Sequence, residues 1–175
     1  ADSEAGRIFE SERGKKPSDS KAYGSESGKE TKMVNFKENE ELKTLNHSCA
    51  HVMAQAIKHL YPQAKFWVGP VVAEGFYYDV DLGDAVIRDE DIEKIEKEMK
   101  KVCKSGKRIV RKEISKEEAK EMFKDDEYKL DLIDGLEDGN ITCYEQGDFT
   151  DLCRGPHVEN VKLCHNFKLI RHSGA

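Results

Sequence analysis

Between Leu45 and Leu82 the hydrophobic period of this chain switches from that of a helix to that of a strand, and the switch limits the folds open to it. From Leu45 to Leu60 the apolar residues Leu45, Cys49, Val52, Met53, Ala56, Ile57 and Leu60 recur at helical spacing. Pro62 ends that run, because proline removes a backbone donor and clashes with the preceding turn. Phe66 to Val72 and Gly75 to Leu82 then read as strands joined through Ala73-Glu74-Gly75. The second of them alternates as Phe76, Tyr78, Val80 and Leu82.

The alternation of types continues downstream. Asp89 to Lys104 reads as a helix with Asp89 as its cap, Ile92, Ile95, Met99 and Val102 as its buried stripe and Gly106 as its stop. Arg108 to Ile114 reads as a strand. Ser115-Lys116-Glu117-Glu118 is a capping box that opens a short helix to about Lys124. Tyr128 to Leu136 fits a short helix better than a strand. Ile141 to Tyr144 and Phe149 to Cys153 form a hairpin around Gln146-Gly147-Asp148, and Lys168 to Arg171 is a last short strand. Helices and strands mix without a strict βαβ rhythm. The expectation is therefore an α+β fold, a single compact domain of residues 34–175 with a mixed antiparallel sheet and flanking helices.

Residues 1–33 read differently. The first 32 contain six Ser, four Gly, seven acidic and seven basic residues, with only Ile8, Phe9 and Tyr23 as large apolar groups. Such a segment buries too little apolar area to offset its ordering entropy. It is expected to be a disordered tail, native or left over from expression.

Charge and cysteine usage narrow the function classes. The net charge of -6 argues against a stand-alone nucleic-acid binder, which normally carries a basic excess. Lys104 to Lys124 nonetheless holds eight Lys/Arg against four Glu, either an ordinary solvated face or a weak phosphate-facing patch. Five cysteines at irregular spacing give no disulfide framework and fit a reducing compartment. No run approaches the roughly 18 apolar residues of a membrane span, and the first residues lack the order of a secretory signal. A cytoplasmic protein without membrane partners is expected.

Three groups of residues carry chemistry. His47-Ser48-Cys49-Ala50-His51 puts two imidazoles one turn apart on a helix, on a face almost opposite the Leu45/Cys49/Val52/Ala56 stripe. These histidines are thus expected outside the main core. Ser48 stands where a zinc protease of the HExxH type needs its glutamate, so that reading lacks a general base. Cys153-Arg154-Gly155-Pro156-His157 places a Cys and a His four apart on a Gly-Pro turn. With His47 and His51 they make either a tetrahedral zinc set or a dense group of titratable side chains. Gly69-Pro70, followed by Gly75-Phe76-Tyr77-Tyr78-Asp79, marks a close backbone approach beside an aromatic strand that belongs to a core or to a pocket wall.

The order HSCAH, VGPVVAEGFYYDVDL, YKLDL, DLCRGPHV and FKLIRHSGA, from about Leu42 to Ala175, resembles the editing domain of bacterial-type threonyl-tRNA synthetases, their second N-terminal domain. The paired HxxxH and CxxxH motifs are similar to those of alanyl-tRNA synthetase editing domains too. In that branch the second pair usually reads CGGTH, whereas CRGPH is the threonyl form. The resemblance implies hydrolysis of seryl-tRNA(Thr), a product of mischarging. Serine lacks one methyl of threonine, worth only about 1–3 kcal/mol in a pocket, so a second site must remove the error.

By the same resemblance, His47 and Lys129 activate or hold the attacking water, and His51, Cys153 and His157 line the pocket. Asp151 holds the substrate's α-ammonium, while Tyr78 and Gly69 shape the wall around its side chain. A histidine titrates near working pH and suits a general base. Lys129 suits stabilisation of the developing oxyanion. The threonyl branch is expected to work without a metal. If zinc binds, its ligands are His47, His51, Cys153 and His157. The family's β-grasp domain and aminoacylation core find no counterpart here, so no ATP site is expected. The expected partners are the serine-bearing 3′ end of tRNA(Thr) and the catalytic and anticodon-binding domains of the synthetase. Two alternatives stand beside this reading: a free-standing, zinc-dependent deacylase of the alanyl type, and a non-catalytic module that only contacts tRNA.

Overall fold

A computed structural model describes residues 7–12 and 34–173. The chain runs through β1 (Arg7–Glu12), α1 (Glu40–Leu60), β2 (Lys65–Phe66), β3 (Val71–Val72), β4 (Gly75–Asp81), α2 (Asp89–Lys104), β5 (Val110–Ile114), α3 (Lys116–Met122), α4 (Glu127–Asp134), β6 (Ile141–Gln146), β7 (Phe149–Leu152), a 3-10 turn at Val161–Cys164 and β8 (Lys168–Arg171). The α+β expectation holds, but the strands form two antiparallel sheets. One is ordered β2-β4-β1-β8 with β3 also on β4, and the other β5-β6-β7.

Helix α1 is the centre of the molecule. Asn39 caps it by accepting a hydrogen bond from the Leu42 amide at 3.0 Å. Glu40 and Glu41 in the first turn and Lys58 and His59 in the last complement the helix dipole. The helix packs on α2 and the 3-10 turn on one side and on β4 on the other. Every residue from Ser48 to Ile57 is therefore buried, His51 included. The expectation that both histidines lie outside the core needs correcting: a helix between two layers has no solvent face, and its polar stripe becomes an interior polar surface. His47, one turn earlier, stays half-buried.

Three further local expectations change. The α2 cap is Arg88, whose amide donates to the Asp91 carboxylate at 2.9 Å, so the third helical residue does the work expected of Asp89. The single strand expected over Phe66–Val72 is broken. Lys65 and Phe66 pair with Asp81 and Val80, whereas Val71 and Val72 pair with Phe76 and Gly75, one residue out of register. The extra residue is absorbed at Trp67-Val68, which both face Asp79: the Trp67 amide donates to the Asp79 carbonyl and the Asp79 amide to the Val68 carbonyl, each at 2.9 Å. Pro70 accepts from the Tyr77 amide but has no N–H to return. Lastly, Arg7–Glu12, within the segment expected to be unordered, forms a strand between β4 and β8. Pairing along an open strand edge satisfies backbone groups without needing an apolar composition. The rest of residues 1–33 lies outside the described residues.

Helix α4 and the hairpin β6–β7 bring distant chemistry to α1. Asp126 caps α4 by accepting from the Tyr128 and Lys129 amides at 3.1 Å each, which fixes Lys129 in the first turn. Gly147, at φ 57°, opens the tight turn between Gln146 and Phe149. Gln55 on α1 donates to the Gln146 carbonyl at 3.2 Å and accepts from the Gln146 side chain at 2.9 Å, anchoring the hairpin to the central helix. Phe66, Phe76, Tyr78, Ile95, Met99 and Phe149 fill the main core, each contributing about 1.5–3 kcal/mol through burial.

Candidate active site

Four side chains converge where α1 faces the segment after β7. The ligating atoms of His47, His51, Cys153 and His157 all lie within 4.8 Å of one another. Cys153 Sγ is 3.3 Å from His47 Nε2 and 3.3 Å from His157 Nε2, and it accepts from the Gly155 amide at 3.2 Å. The rings of His47 and His157 stack with centroids 4.3 Å apart.

Ser48 orders this cluster. Its hydroxyl donates to the Thr44 carbonyl at 2.9 Å and accepts from the Val158 amide at 3.0 Å. It also meets His157 Nδ1 at 2.9 Å. Since the single hydroxyl proton goes to Thr44, the proton between Ser48 and His157 belongs to Nδ1. The bare Nε2 of His157 then faces Cys153. Sequence reasoning treated Ser48 only as a missing glutamate. Its position, one residue after His47 on a helix facing a distant loop, carries no signal of this contact.

Burial sets the protonation states. Desolvation lowers His47, against a backbone hydrogen bond at Pro156 and the charge of Asp151. It holds His51 well below the ordinary imidazole range and pushes His157 down to about 2. The Cys153 thiol is pushed up to about 11 by the same cause. The cluster is a set of neutral imidazoles and a neutral thiol, which leaves Cys153 a poor nucleophile and the histidines available as proton acceptors.

A charged group lies beside it. Lys129 Nζ pairs with Asp151 Oδ1 at 2.6 Å and donates to the Trp67 carbonyl at 3.1 Å, with both ion-pair partners almost fully buried. Asp151 Oδ1 also accepts from the Leu152 amide at 2.8 Å, and its Oδ2 accepts from the Tyr78 hydroxyl. Tyr78 links the two groups, its ring 6.4 Å from that of His51. Gly69 acts through Tyr78: a Cβ at this position would run into the Tyr78 ring. All eight residues singled out in the sequence are thus gathered into one site.

The structure adds Tyr144, which the sequence did not mark. Its ring meets His157 edge-on at 4.5 Å, and its hydroxyl reaches the space that a Cβ of Gly155, at φ 72°, would fill. Trp67 contributes only its carbonyl, which no side-chain pattern announces. The three-nitrogen, one-sulfur donor set fits zinc, and Ser48 would orient His157 behind the metal.

Comparison with known proteins agrees with this geometry. Residues 141–175 match the family described as the threonyl and alanyl tRNA synthetase second additional domain. The chain is 49% identical over 144 residues to a threonine--tRNA ligase of Desulforapulum autotrophicum, covering 82% of this chain and 22% of the relative. It is 54% identical over 137 residues to that of Staphylococcus epidermidis, covering 78% of this chain and 21% of the relative. It spans about a fifth of the length of the relatives it matches. The fold, the four-residue cluster and these similarities place the chain in the second-additional-domain family of the threonyl and alanyl enzymes. Within that family it falls on the threonyl side, as a threonyl-tRNA synthetase editing-region domain. No helix among the described residues is long and apolar enough to cross a membrane.

Proposed function

We propose that this domain removes serine from mischarged tRNA(Thr) by hydrolysing the ester that joins the amino acid to the terminal ribose. The observation that carries the reading is a neutral histidine–thiol cluster whose members feel the charges of the buried Lys129–Asp151 pair, Asp151 acting on His47 and Cys153 and Lys129 on His51. The first can take a proton from water, and the second can bind a cationic amino acid. Asp151 receives the serine α-ammonium in exchange for the Lys129 ammonium, which turns to the ester carbonyl oxygen. Water attacks the carbonyl carbon as His47 takes its proton, and Lys129 stabilises the oxyanion. The carbon–oxygen bond to the ribose then breaks, and His47 returns the proton to the leaving oxygen. Tyr78, set by Gly69, holds the second oxygen of Asp151.

This sequence needs no metal. A zinc ion held by His47, His51, Cys153 and His157 would instead supply Lewis-acid activation of water. Further partners on this reading are tRNA(Thr) and the rest of the synthetase. The test offers the protein seryl-tRNA(Thr) and mischarged tRNA(Ala) side by side, with metal analysis of the same sample. Preferential clearance of the first, abolished in His47→Ala and Lys129→Ala, is expected. Preferential clearance of the second by a zinc-loaded protein supports the alanyl-type alternative. Clearance of neither, with tRNA binding intact, supports a non-catalytic module.

A further inference from the structure

A chamber of about 380 Å³ opens beside the C-terminal end of α1, and its lining includes both members of the Lys129–Asp151 pair but none of the four cluster residues. Lys129 and Asp151 form its buried end together with Phe66 and Phe149, while Met122 and Asp125 are exposed at its mouth. Its volume lies at the small end of the range for small-molecule sites, about 300–1,000 Å³. Lys58, Lys65 and Lys129 face four aspartates across it. Charges of both signs in one chamber suit a zwitterion and do not suit a phosphate chain.

Most of these charges already have partners. Lys129 pairs with Asp151 at 2.6 Å, Lys65 with Glu127 at 3.4 Å and Asp148 with His59 at 2.8 Å. Lys58 differs. Its ammonium donates to the Ala64 carbonyl at 2.8 Å, and among the described residues no carboxylate pairs with it. Burial strips part of its water and lowers its pKa, against the opposing charge of Asp126. Asp126 is thus near enough to act on Lys58 without forming an ion pair with it. A cation and an anion held apart across a cavity leave a gap for a molecule that carries the complementary pair of charges.

Hydrolysis of an aminoacyl ester makes such a molecule. The new carboxyl group ionises at neutral pH, so the acyl product is a zwitterion whose carboxylate forms beside Asp151, which repels it. We infer that this chamber is the product site for the free amino acid, with its carboxylate on Lys58 and its ammonium on Asp126. The role of product rests on the hydrolase reading, but the binding can be measured without turnover. In that reading the substrate ammonium parts Lys129 from Asp151, and the buried end of the chamber opens as the acid is formed. The acid then moves along the last turn of α1 towards Met122 and Asp125. No cluster residue lines this route, so departure of the acid does not wait for release of the nucleic acid.

The experiment titrates the full chain with L-serine and follows its backbone amides by nitrogen-15 NMR. Saturable shifts are expected at Lys65, Asp126 and Thr150, with half-saturation in the millimolar range of so small a ligand. Thr44 and Val71, which line a separate cleft at His47, should stay in place. Lys58→Met should weaken binding at least about tenfold, the loss of one charge-assisted hydrogen bond, and Lys58→Arg should restore most of it. L-Serinamide lacks the carboxylate and should bind the wild type at least about tenfold more weakly than L-serine, a comparison that needs no variant. The absence of saturable shifts, shifts centred on Thr44 and Val71, equal binding of L-serine and L-serinamide, or undiminished binding by Lys58→Met would overturn the inference. Hydrolysis of seryl-tRNA(Thr), followed in parallel, separates the two readings. Turnover without the chamber shifts sinks the product site alone, and the chamber shifts without turnover sink the hydrolase reading alone.

Discussion

Ser48→Ala is the sharpest probe of how the cluster is held. Ser48 is fully buried, and one hydroxyl serves the Thr44 carbonyl, the Val158 amide and His157 Nδ1. The Thr44 carbonyl keeps its place in the helix and loses little. The Val158 amide and the Nδ1–H of His157 lose the acceptor that the structure gives them, and a half-buried donor without a partner costs about 1–3 kcal/mol. Because His157 can rotate towards water, the two costs do not add fully, and a total of about 2–3 kcal/mol is expected. For a domain of this size that lowers Tm by about 5–10 °C, measurable by thermal or urea unfolding. Nitrogen-15 NMR of the imidazoles should show His157 in the Nδ1–H form in the wild type and shifted towards Nε2–H in Ser48→Ala, with slower deacylation. A loss below about 0.5 kcal/mol, which is typical of a bland surface change, would refute the reasoning. So would a wild-type His157 protonated on Nε2.

Gly69→Ala should misplace the Tyr78 ring and cost about 1–3 kcal/mol by overpacking, and deacylation should fall further than in Tyr78→Phe, which keeps the ring in place. The lowered pKa of His47 predicts a rate that stays flat through neutrality and drops only as acid protonates the ring, at a pH below its ordinary 6.5; an acid limb above 6.5 in a pH–rate profile would contradict this. His59 is desolvated, which lowers it, but hydrogen bonds to Asp148 and Glu98 outweigh this and raise it. Its stabilisation is therefore full below about 6.5 and is lost as pH rises through the folded-state value, by less than about 1 kcal/mol for so exposed a pair; His59→Gln should flatten that part of the stability–pH curve. Removing Asp151 alone strands the buried Lys129 charge and should cost about 3–5 kcal/mol, whereas Lys129→Met with Asp151→Leu should unfold near the wild-type midpoint while losing all deacylation; a double variant as unstable as the single would place the pair's value in folding.

Much of this was legible in the sequence because local signals and tertiary structure agree. Asp89–Lys104 and Lys168–Arg171 emerge with the expected bounds, since a charged helix with one apolar stripe and a short terminal strand leave little choice. The Ser115 box caps α3 as the pattern requires. The misread face of α1 has a plain cause: periodicity reports which side is apolar, not how many layers the helix touches. Asn46, Ser48, His51 and Gln55 look like a solvated stripe, yet all are buried. Tyr144 escaped notice because its neighbours in the site, His157 and Gly155, follow it only after the β6–β7 turn. The association of Lys129 with Asp151 crosses from α4 to β7, and no spacing rule reaches across that gap; only the family likeness had brought them together.

The buried polar stripe of α1 also explains why neutral and charged groups coexist in one site. Withdrawal from water penalises a lone imidazolium, so His51 and His157 stay unprotonated and retain lone pairs. The same withdrawal strengthens attraction between opposite charges, so Lys129 and Asp151 remain paired where either alone would be costly. Tyr78 joins the two regimes by giving its proton to Asp151 while its ring packs near His51. A cationic ligand that competes for Asp151 therefore changes the charge balance at one end of the site without protonating the bases at the other. On the proposed hydrolase reading, recognition of an ammonium and abstraction of a proton then proceed at the same pH, which a solvent-exposed arrangement of the same residues would not permit.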